Sequence, residues 1–213
     1  MLELFHHVFF FLMIVCLKYR FSNWLIPVLS IVCIAIHQVF VFFYLAPLIV
    51  ILLYKAMKSS EIKVKKHYLL LLFITVITSS VAFCVFQFYK NGLMVSSPED
   101  MSAIISTYSN VNLSTIPLKF EYFLTMKDHF QYHFLDGNGW YKFSLIFILS
   151  LIFFSPMIIF FALFWNKCIH AEKSKYLNLI YRLALLSPLS AFPAFVLTID
   201  YGRWFSILFF TQI

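Results

Sequence analysis

The feature that most constrains this chain is a series of apolar runs long enough to cross a lipid bilayer. The clearest of them are His67–Phe88, Phe143–Trp165 and Leu183–Ile199, and a membrane helix needs about 20 such residues. The chain is 62% hydrophobic and 12% charged, whereas soluble domains have roughly 45–50% apolar and about 25% charged residues. It therefore cannot cover itself with a polar surface, which excludes a water-soluble enzyme, a disordered tail and a nucleic-acid-binding module.

The other apolar runs are less regular. The run Leu4–Leu17 is short, but it lacks the charged start and the small-residue cleavage site of a signal peptide. The run Trp24–Tyr54 is too long for one upright helix and is interrupted by the pair His37–Gln38. It is either one tilted or kinked helix or a hairpin of two short spans. The last run, Trp204–Ile213, is too short to cross the membrane and predicts an incomplete final span.

The predicted fold class is all-α, a polytopic transmembrane helix bundle of about six spans with the last one incomplete. Residues 1–88 are expected to form the N-terminal transmembrane helices, and residues 89–142 an extracytoplasmic loop. Residues 143–213 are expected to form the C-terminal transmembrane helices, ending in a truncation. The sequence is thus interpreted as part of a longer membrane protein.

The basic residues predict the orientation of the bundle. They gather in two loops, each opposed by a single acidic residue: Lys55, Lys58, Lys63, Lys65 and Lys66 with Glu61, and Lys167, Lys173, Lys175 and Arg182 with Glu172. Cytoplasmic loops carry an excess of Lys and Arg, so both loops are expected to face the cytoplasm. The nearly neutral loop between them then faces outward. The same alternation places the segment 200–203 at the outer edge of the membrane.

This outer segment contains Asp200, Gly202, Arg203 and Trp204, the most informative polar residues of the chain. Burying Asp or Arg at mid-bilayer costs about 2.5–3.5 kcal/mol each on insertion scales, and residues three apart on a helix can pair. Gly202 permits a turn or the close approach of a ligand, while the donor fork of Arg203 suits phosphate oxygens. Trp204 is a further candidate for substrate binding. The alternative is an ion pair and a Trp anchor that only end one helix.

The run Phe195–Ser206 resembles the hydrophobic–Asp–aromatic–Gly–Arg–Trp signature of membrane proteins from bacterial surface-polysaccharide loci, the O-antigen and capsule polymerases. The general layout is also similar, with many spans, one large outer loop and a composition rich in Phe and Ile. The resemblance implies a glycosyltransferase of the bacterial inner membrane that moves a growing glycan between polyprenyl-diphosphate carriers at the extracytoplasmic face. It also implies that Arg203 contacts the carrier pyrophosphate or the glycan, and that Asp200 orients Arg203 or acts as a base. Such polymerases have more spans than this chain.

The outer loop contains further candidates for sugar binding. His129 and His133 would share one face of a helix, which is metal-ligand spacing, but the Glu of the metalloprotease motif is missing. They are instead candidates for acid–base or sugar-binding roles. Asp136, Asn138 and Trp140 belong to a glycine-containing turn, where Trp140 would stack on a sugar ring and the polar side chains would bond its hydroxyls. The alternatives are solvated histidines and a simple turn.

No metal or cofactor is predicted, because the 4 Cys form no C-x-x-C pair and lie in apolar runs or a short basic loop. The expected partners are the lipid bilayer, a polyprenyl-diphosphate-linked oligosaccharide and other polysaccharide-assembly proteins, with no nucleic acid. Two alternatives to a polymerase stay open: a lipid-glycan flippase or transport subunit, and an inactive fragment of a larger membrane protein. A transporter would place ionisable residues inside its spans, where His37 is the residue that stands out.

Overall fold

The computed structural model describes residues 2–19, 22–88, 97–108, 131, 135, 139–197 and 201–212. These residues form helices and turns, and no β-strand occurs among them. The α-helices are α1 (Leu2–Cys16), α2 (Leu25–Ile36), α3 (Phe40–Phe43), α4 (Leu45–Lys58), α5 (Ile62–Phe88), α6 (Pro98–Tyr108), α7 (Gly139–Ala171), α8 (Lys175–Leu186), α9 (Phe192–Leu197) and α10 (Tyr201–Gln212). Short 3-10 helices cover Ser22–Trp24 and Ser187–Ala191. The predicted all-α class is confirmed.

Among the described helices, α5 and α7 are long and apolar enough to cross a membrane by length and composition. The qualifying stretches are Ile62–Phe86 and Gly139–Ala171, whose most apolar 18-residue windows have mean hydropathies of 2.6 and 2.7. Only 22% of the most apolar window of α5 and 0% of that of α7 is buried by the rest of the chain. An apolar surface of this extent is typical of a membrane or partner interface. The two helices thus indicate a membrane protein, while six spans stay a prediction.

The apolar run 24–54 folds as a hairpin, which is one of the two predicted alternatives. Trp24, just before α2, lies 5.6 Å from His67 near the start of α5, measured between ring centroids. Phe42 in α3 lies 5.9 Å from Phe83 near the end of α5. Helix α2 therefore runs beside α5 in the same direction, the chain reverses around α3, and α4 runs back in the opposite direction. Helices of 12 and 14 residues are about 18 and 21 Å long, shorter than the hydrocarbon core of about 30 Å.

The reversal has a local cause at His37. Its backbone is extended, with φ −161° and ψ 126°, and its Nδ1 atom accepts a hydrogen bond from the backbone N–H of Val39 at 3.2 Å. A side chain that bonds the neighbouring backbone competes with the helical pattern. Pro47 then lies in the first turn of α4, where the missing N–H disrupts no helical hydrogen bond.

The C-terminal helices return along α7. Within the predicted span 183–199, the described residues 183–197 form the end of α8, the 3-10 helix and α9. Helix α10 then runs beside α7 in the same direction, because Phe205 contacts Phe154 at 4.9 Å and Phe209 contacts Phe161 at 5.9 Å, measured between ring centroids. At the end of α10, Gln212 is hydrogen-bonded to Trp165 of α7, which continues the same parallel alignment.

Pro156 interrupts the hydrogen bonding of α7 in the middle of its apolar stretch. Proline has no N–H for the carbonyl group four residues before it, which here belongs to Ile152. The hydroxyl of Ser155 donates to this carbonyl oxygen at 2.7 Å. The side chain thereby satisfies the acceptor that the proline leaves without its helical donor.

The core of the described bundle surrounds the reversal at α3. Phe40, Phe43 and Tyr44 are fully enclosed, and the hydroxyl of Ser190 donates to the carbonyl oxygen of Phe42 at 2.7 Å. The ring of Phe43 stacks on that of Trp204 at 4.9 Å. The hairpin tip thus holds the beginning of α10 in place.

Candidate functional site

The first turn of α10 contains the residues that the sequence singles out. Arg203 is exposed there, and a Cβ atom added to Gly202 would meet no heavy atom within 4 Å. Trp204 is different: it is only 5% exposed and stacks on Phe43. Its position is that of a packing residue that fixes α10, and the predicted substrate contact stays a prediction. The side chain of Arg203 and the open side of Gly202 are therefore the accessible features of this turn.

The structure does not bring Trp140 and Arg203 together. Trp140 is 63% exposed in the first turn of α7, with its ring 6.1 Å from that of Phe143. Arg203 precedes Phe205, which packs on Phe154, so Arg203 lies nearly level with Ile152. The two candidates are thus separated by about 18 Å along the helix axis. Arg203 accordingly lies deeper along α7 than the outer edge that the sequence predicts for it.

Five predicted site residues lie outside the described part of the chain: His129, His133, Asp136, Asn138 and Asp200. Their roles in sugar binding and catalysis stay predictions, as does the pairing of Asp200 with Arg203. The site can therefore be built from α7, α8, α9 and α10 alone.

These four helices enclose an apolar groove of about 350 Å³. Its lining comes from Phe147, Leu151, Ile158, Phe161, Ala162, Trp165, Leu185, Leu186, Pro188, Leu189, Phe192, Phe195, Phe205, Leu208, Phe209 and Gln212. The stretch from Phe147 to Trp165 is about 27 Å long on an α-helix, close to the thickness of the hydrocarbon core. The apolar lining and the span of the lining residues along α7 suit part of a hydrocarbon chain.

The polar atoms at the Trp165 end of the groove are already paired. The indole Nε1 of Trp165 donates to Oε1 of Gln212 at 2.8 Å. The amide Nε2 of Gln212 donates in turn to the hydroxyl of Ser187 at 3.2 Å. Polar groups that are hydrogen-bonded to one another need no hydrogen bond from a ligand. The groove therefore selects for apolar surface and offers no polar anchor at this end.

The first turn of α10 borders the same groove. Gly202, Phe205 and Phe209 follow one another at intervals of three and four residues, so they share one face of the helix. Phe205 and Phe209 line the groove, which places the open side of Gly202 on the groove side of α10. Arg203 is the next residue. An anionic group bound at this turn would thus lie next to the groove and within reach of a guanidinium.

A cluster of histidines near the hairpin tip is a second polar site inside the apolar bundle. His6 is 1% exposed, with Nε2 3.1 Å from the carbonyl oxygen of Cys33, and its ring lies edge-on to His37 at 6.2 Å. The hydroxyl of Tyr44 lies 2.9 Å from Nδ1 of His7. Among the described residues no three His, Cys, Asp or Glu are placed to hold a metal ion. The sequence points to His37, but the adjacent pair His6–His7 in an apolar run is the same kind of signal.

Comparison with known protein families, with curated proteins and with solved structures finds no match for this chain. The groove, Arg203 and the histidine cluster are therefore the features from which a function can be proposed. Those features belong to a chain whose two longest apolar helices are suited to a membrane.

Proposed function

We propose that this chain is a multipass protein of the bacterial inner membrane that assembles glycans. It polymerises or transfers sugar repeat units linked to a polyprenyl diphosphate at the extracytoplasmic face. The observation that supports this proposal most is the apolar groove, which runs along α7 and α10 and borders the turn that contains Gly202 and Arg203.

Each part of the proposed substrate has a counterpart at this site. The polyprenyl chain is wholly apolar and fits a groove whose polar atoms are paired with each other. The diphosphate group carries negative charge, which the Arg203 guanidinium stabilises through two parallel hydrogen bonds. The first backbone N–H groups of α10 have no helical acceptor and favour an anion at the same place.

The proposed reaction places its developing charge at Arg203. A hydroxyl group of the acceptor glycan attacks the anomeric carbon of the donor, and the bond from this carbon to the diphosphate oxygen breaks. The diphosphate leaves with the electron pair, and a positioned guanidinium stabilises it as the charge grows. The hydroxyl proton passes to a base, for which Asp200 is the candidate. Trp140, Asp136, Asn138, His129 and His133 are the proposed sugar contacts.

The test is the replacement of Arg203 by Ala and by Lys in the full protein in its native host. We expect Arg203→Ala to abolish long-chain surface polysaccharide, and Arg203→Lys to retain part of it, because Lys keeps the charge and loses the fork. Arg182→Ala is the matched control, since Arg182 is also exposed, bonds Asn178 at 2.9 Å and does not line the groove. Unchanged chain lengths in Arg203→Ala, at normal protein levels, would contradict the catalytic role.

The histidine cluster favours a second function, the movement of a lipid-linked glycan across the membrane. Transporters place ionisable groups at broken helices inside the bilayer, and His6, His7 and His37 meet at such a break. For this function we expect His37→Gln to slow the exposure of a fluorescent polyprenyl-diphosphate sugar to an external quencher in proteoliposomes by tenfold or more. His170→Gln is the control, because His170 is exposed at the far end of α7. Equal rates in both variants would argue against transport.

A further inference from the structure

One end of the bundle concentrates positive charge from three separate parts of the chain. We call it the basic end, and it consists of Lys18, Lys55, Lys58, Lys63, Lys65, Lys66, Lys167, Lys173, Lys175 and Arg182. The acidic residues among them are Glu61 and Glu172. These segments are far apart in sequence, so their meeting is a property of the fold. It requires contacts that join the α1–α2 connection, the α4–α5 loop and the α7–α8 loop.

The first contact joins the α1–α2 connection to the start of α5 through Asn23. This residue is fully buried. Its amide nitrogen donates to the carbonyl oxygens of Cys16 at 2.6 Å and Tyr19 at 3.3 Å in the orientation that satisfies both amide atoms. The other amide atom then faces Nε2 of His67, 3.3 Å away. Asn23 thereby joins the turn that contains Lys18 to the start of α5, where Lys66 precedes His67.

The second contact joins the end of α4 to the α7–α8 hairpin through aromatic rings. Tyr54 stacks on Tyr181 with ring centroids 6.2 Å apart, and Tyr181 lies 6.0 Å from Trp165. The Nζ atom of Lys58 donates to the Tyr54 hydroxyl at 2.8 Å. This ties the Lys58 side of the α4–α5 loop to the segment that contains Arg182.

The charge of the basic end is not neutralised within the described residues. No Lys or Arg of this end lies within ion-pair distance of a described carboxylate, and Glu172 instead accepts a hydrogen bond from the backbone N–H of Ser174 at 2.8 Å. The hydrogen bond to Tyr54 raises the pKa of Lys58 above its usual value, so this side chain stays charged at neutral pH. Most of these side chains are exposed, and the positive field is open to an external anion.

The position of the basic end, next to exposed apolar helix faces, indicates which kind of anion would bind there. The chain segments that carry it directly continue α1, α5 and α7, whose apolar faces are exposed along their length at residues such as Phe11, Phe73 and Leu163. A lipid bilayer around those faces places its phosphate groups at the level of the adjoining Lys and Arg. We infer that the basic end is a binding surface for anionic phospholipids, whose phosphodiester groups bridge the three segments.

The inference extends beyond orientation by the positive-inside rule, because it predicts lipid selectivity. Juxtamembrane clusters of four to eight Lys and Arg attract anionic lipids, and each charge contributes separately. Contacts of this kind weaken with salt, since the Debye length is about 10 Å at 0.1 M and about 3 Å at 1 M. A surface that gathers charge from three segments binds several lipids and thereby clamps the three segments together. It is independent of the proposed glycan chemistry at the opposite end of α10.

The experiment titrates the full-length protein, in neutral detergent, with phosphatidylglycerol or phosphatidylcholine. Bound lipids are counted by native mass spectrometry, and thermal unfolding is followed in parallel. We expect phosphatidylglycerol to bind selectively and to raise the melting temperature. The triple variant Lys63→Gln/Lys65→Gln/Lys66→Gln is expected to bind about 100-fold more weakly at low salt, about fivefold for each charge. The corresponding triple Arg variant should bind like the wild type, which separates charge from folding.

The controls distinguish a phospholipid headgroup from free phosphate, and a lipid from an acidic protein partner. Lys142→Gln, at the other end of α7, should leave binding unchanged. Inorganic phosphate at matched concentration should bind far more weakly than the lipid, because it lacks the apolar chain that keeps the headgroup at this depth. Equal binding of the two phospholipids, or wild-type binding by the triple Gln variant, would overturn the inference. Displacement of the lipid by free phosphate would also overturn it. The same holds if an acidic protein copurifies with the chain and occupies the basic end in place of the lipid.

Discussion

Replacement of Phe43 by Ala is expected to lower the free energy of unfolding of the bundle by about 3–5 kcal/mol, the range for a Phe removed from a packed core. Phe43 has 0% exposure, stacks on Trp204 at 4.9 Å and lies 6.2 Å from Phe195. Its removal leaves a cavity where the hairpin tip meets α9 and α10.

The measurement is reversible unfolding of the purified protein in mixed micelles, with Phe73→Ala as the matched control. Phe73 belongs to α5 and is exposed at the surface of the bundle, so its loss should change the free energy of unfolding by less than about 0.5 kcal/mol. The double variant Phe43→Ala/Trp204→Ala should be less destabilised than the sum of the single variants, since both remove the same stacking contact. Equal effects of Phe43→Ala and Phe73→Ala would contradict the described core.

The helical class and the positions of α5 and α7 can be predicted from the sequence because they depend on local properties. An apolar stretch of sufficient length is a helix in a membrane whatever its neighbours are. The reversal at His37 is different: an interrupted apolar run is compatible with a kink as well as with a hairpin. The contacts that distinguish them, Trp24 with His67 and Phe42 with Phe83, join residues far apart in sequence.

In the candidate site, too, local features can be predicted from the sequence and contacts between remote residues cannot. Arg203 is visible in the sequence as one of two charged residues, with Asp200, between apolar runs. The burial of Trp204 one residue later is not, because it depends on where Phe43 of the remote hairpin lies. The groove is assembled from four helices, and no single one of them carries a motif for it. The pair His6–His7 can be read from the sequence, but its meeting with His37 requires the fold.

Introduction of an arginine at Phe153 is expected to abolish stable membrane insertion of α7. Phe153 is 76% exposed and lies near the middle of the helix Gly139–Ala171. Its side chain is on the uncovered surface of this helix, whereas Arg203, at a similar depth, lies next to the groove. Insertion scales assign about 2.5–3.5 kcal/mol to Arg at the centre of a span, which corresponds to a factor of about 70 to 400 in the insertion equilibrium. The measurement is the inserted fraction of a glycosylation-site reporter that carries the full chain.

Tyr141→Arg is the control that separates the effect of depth along α7 from the effect of the added charge. Tyr141 is also an exposed aromatic residue of α7, but it lies in the first turn, where an arginine side chain extends to the interface at little cost. If the exposed face of α7 contacts lipid, the two variants differ by the factor given above, although both add one positive charge to an uncovered surface. If that face instead rests against a protein partner in water, both arginines remain solvated before assembly, and the two variants insert equally poorly. A difference that depends on depth along α7 therefore distinguishes a lipid-facing span from an uncovered helix of a soluble assembly.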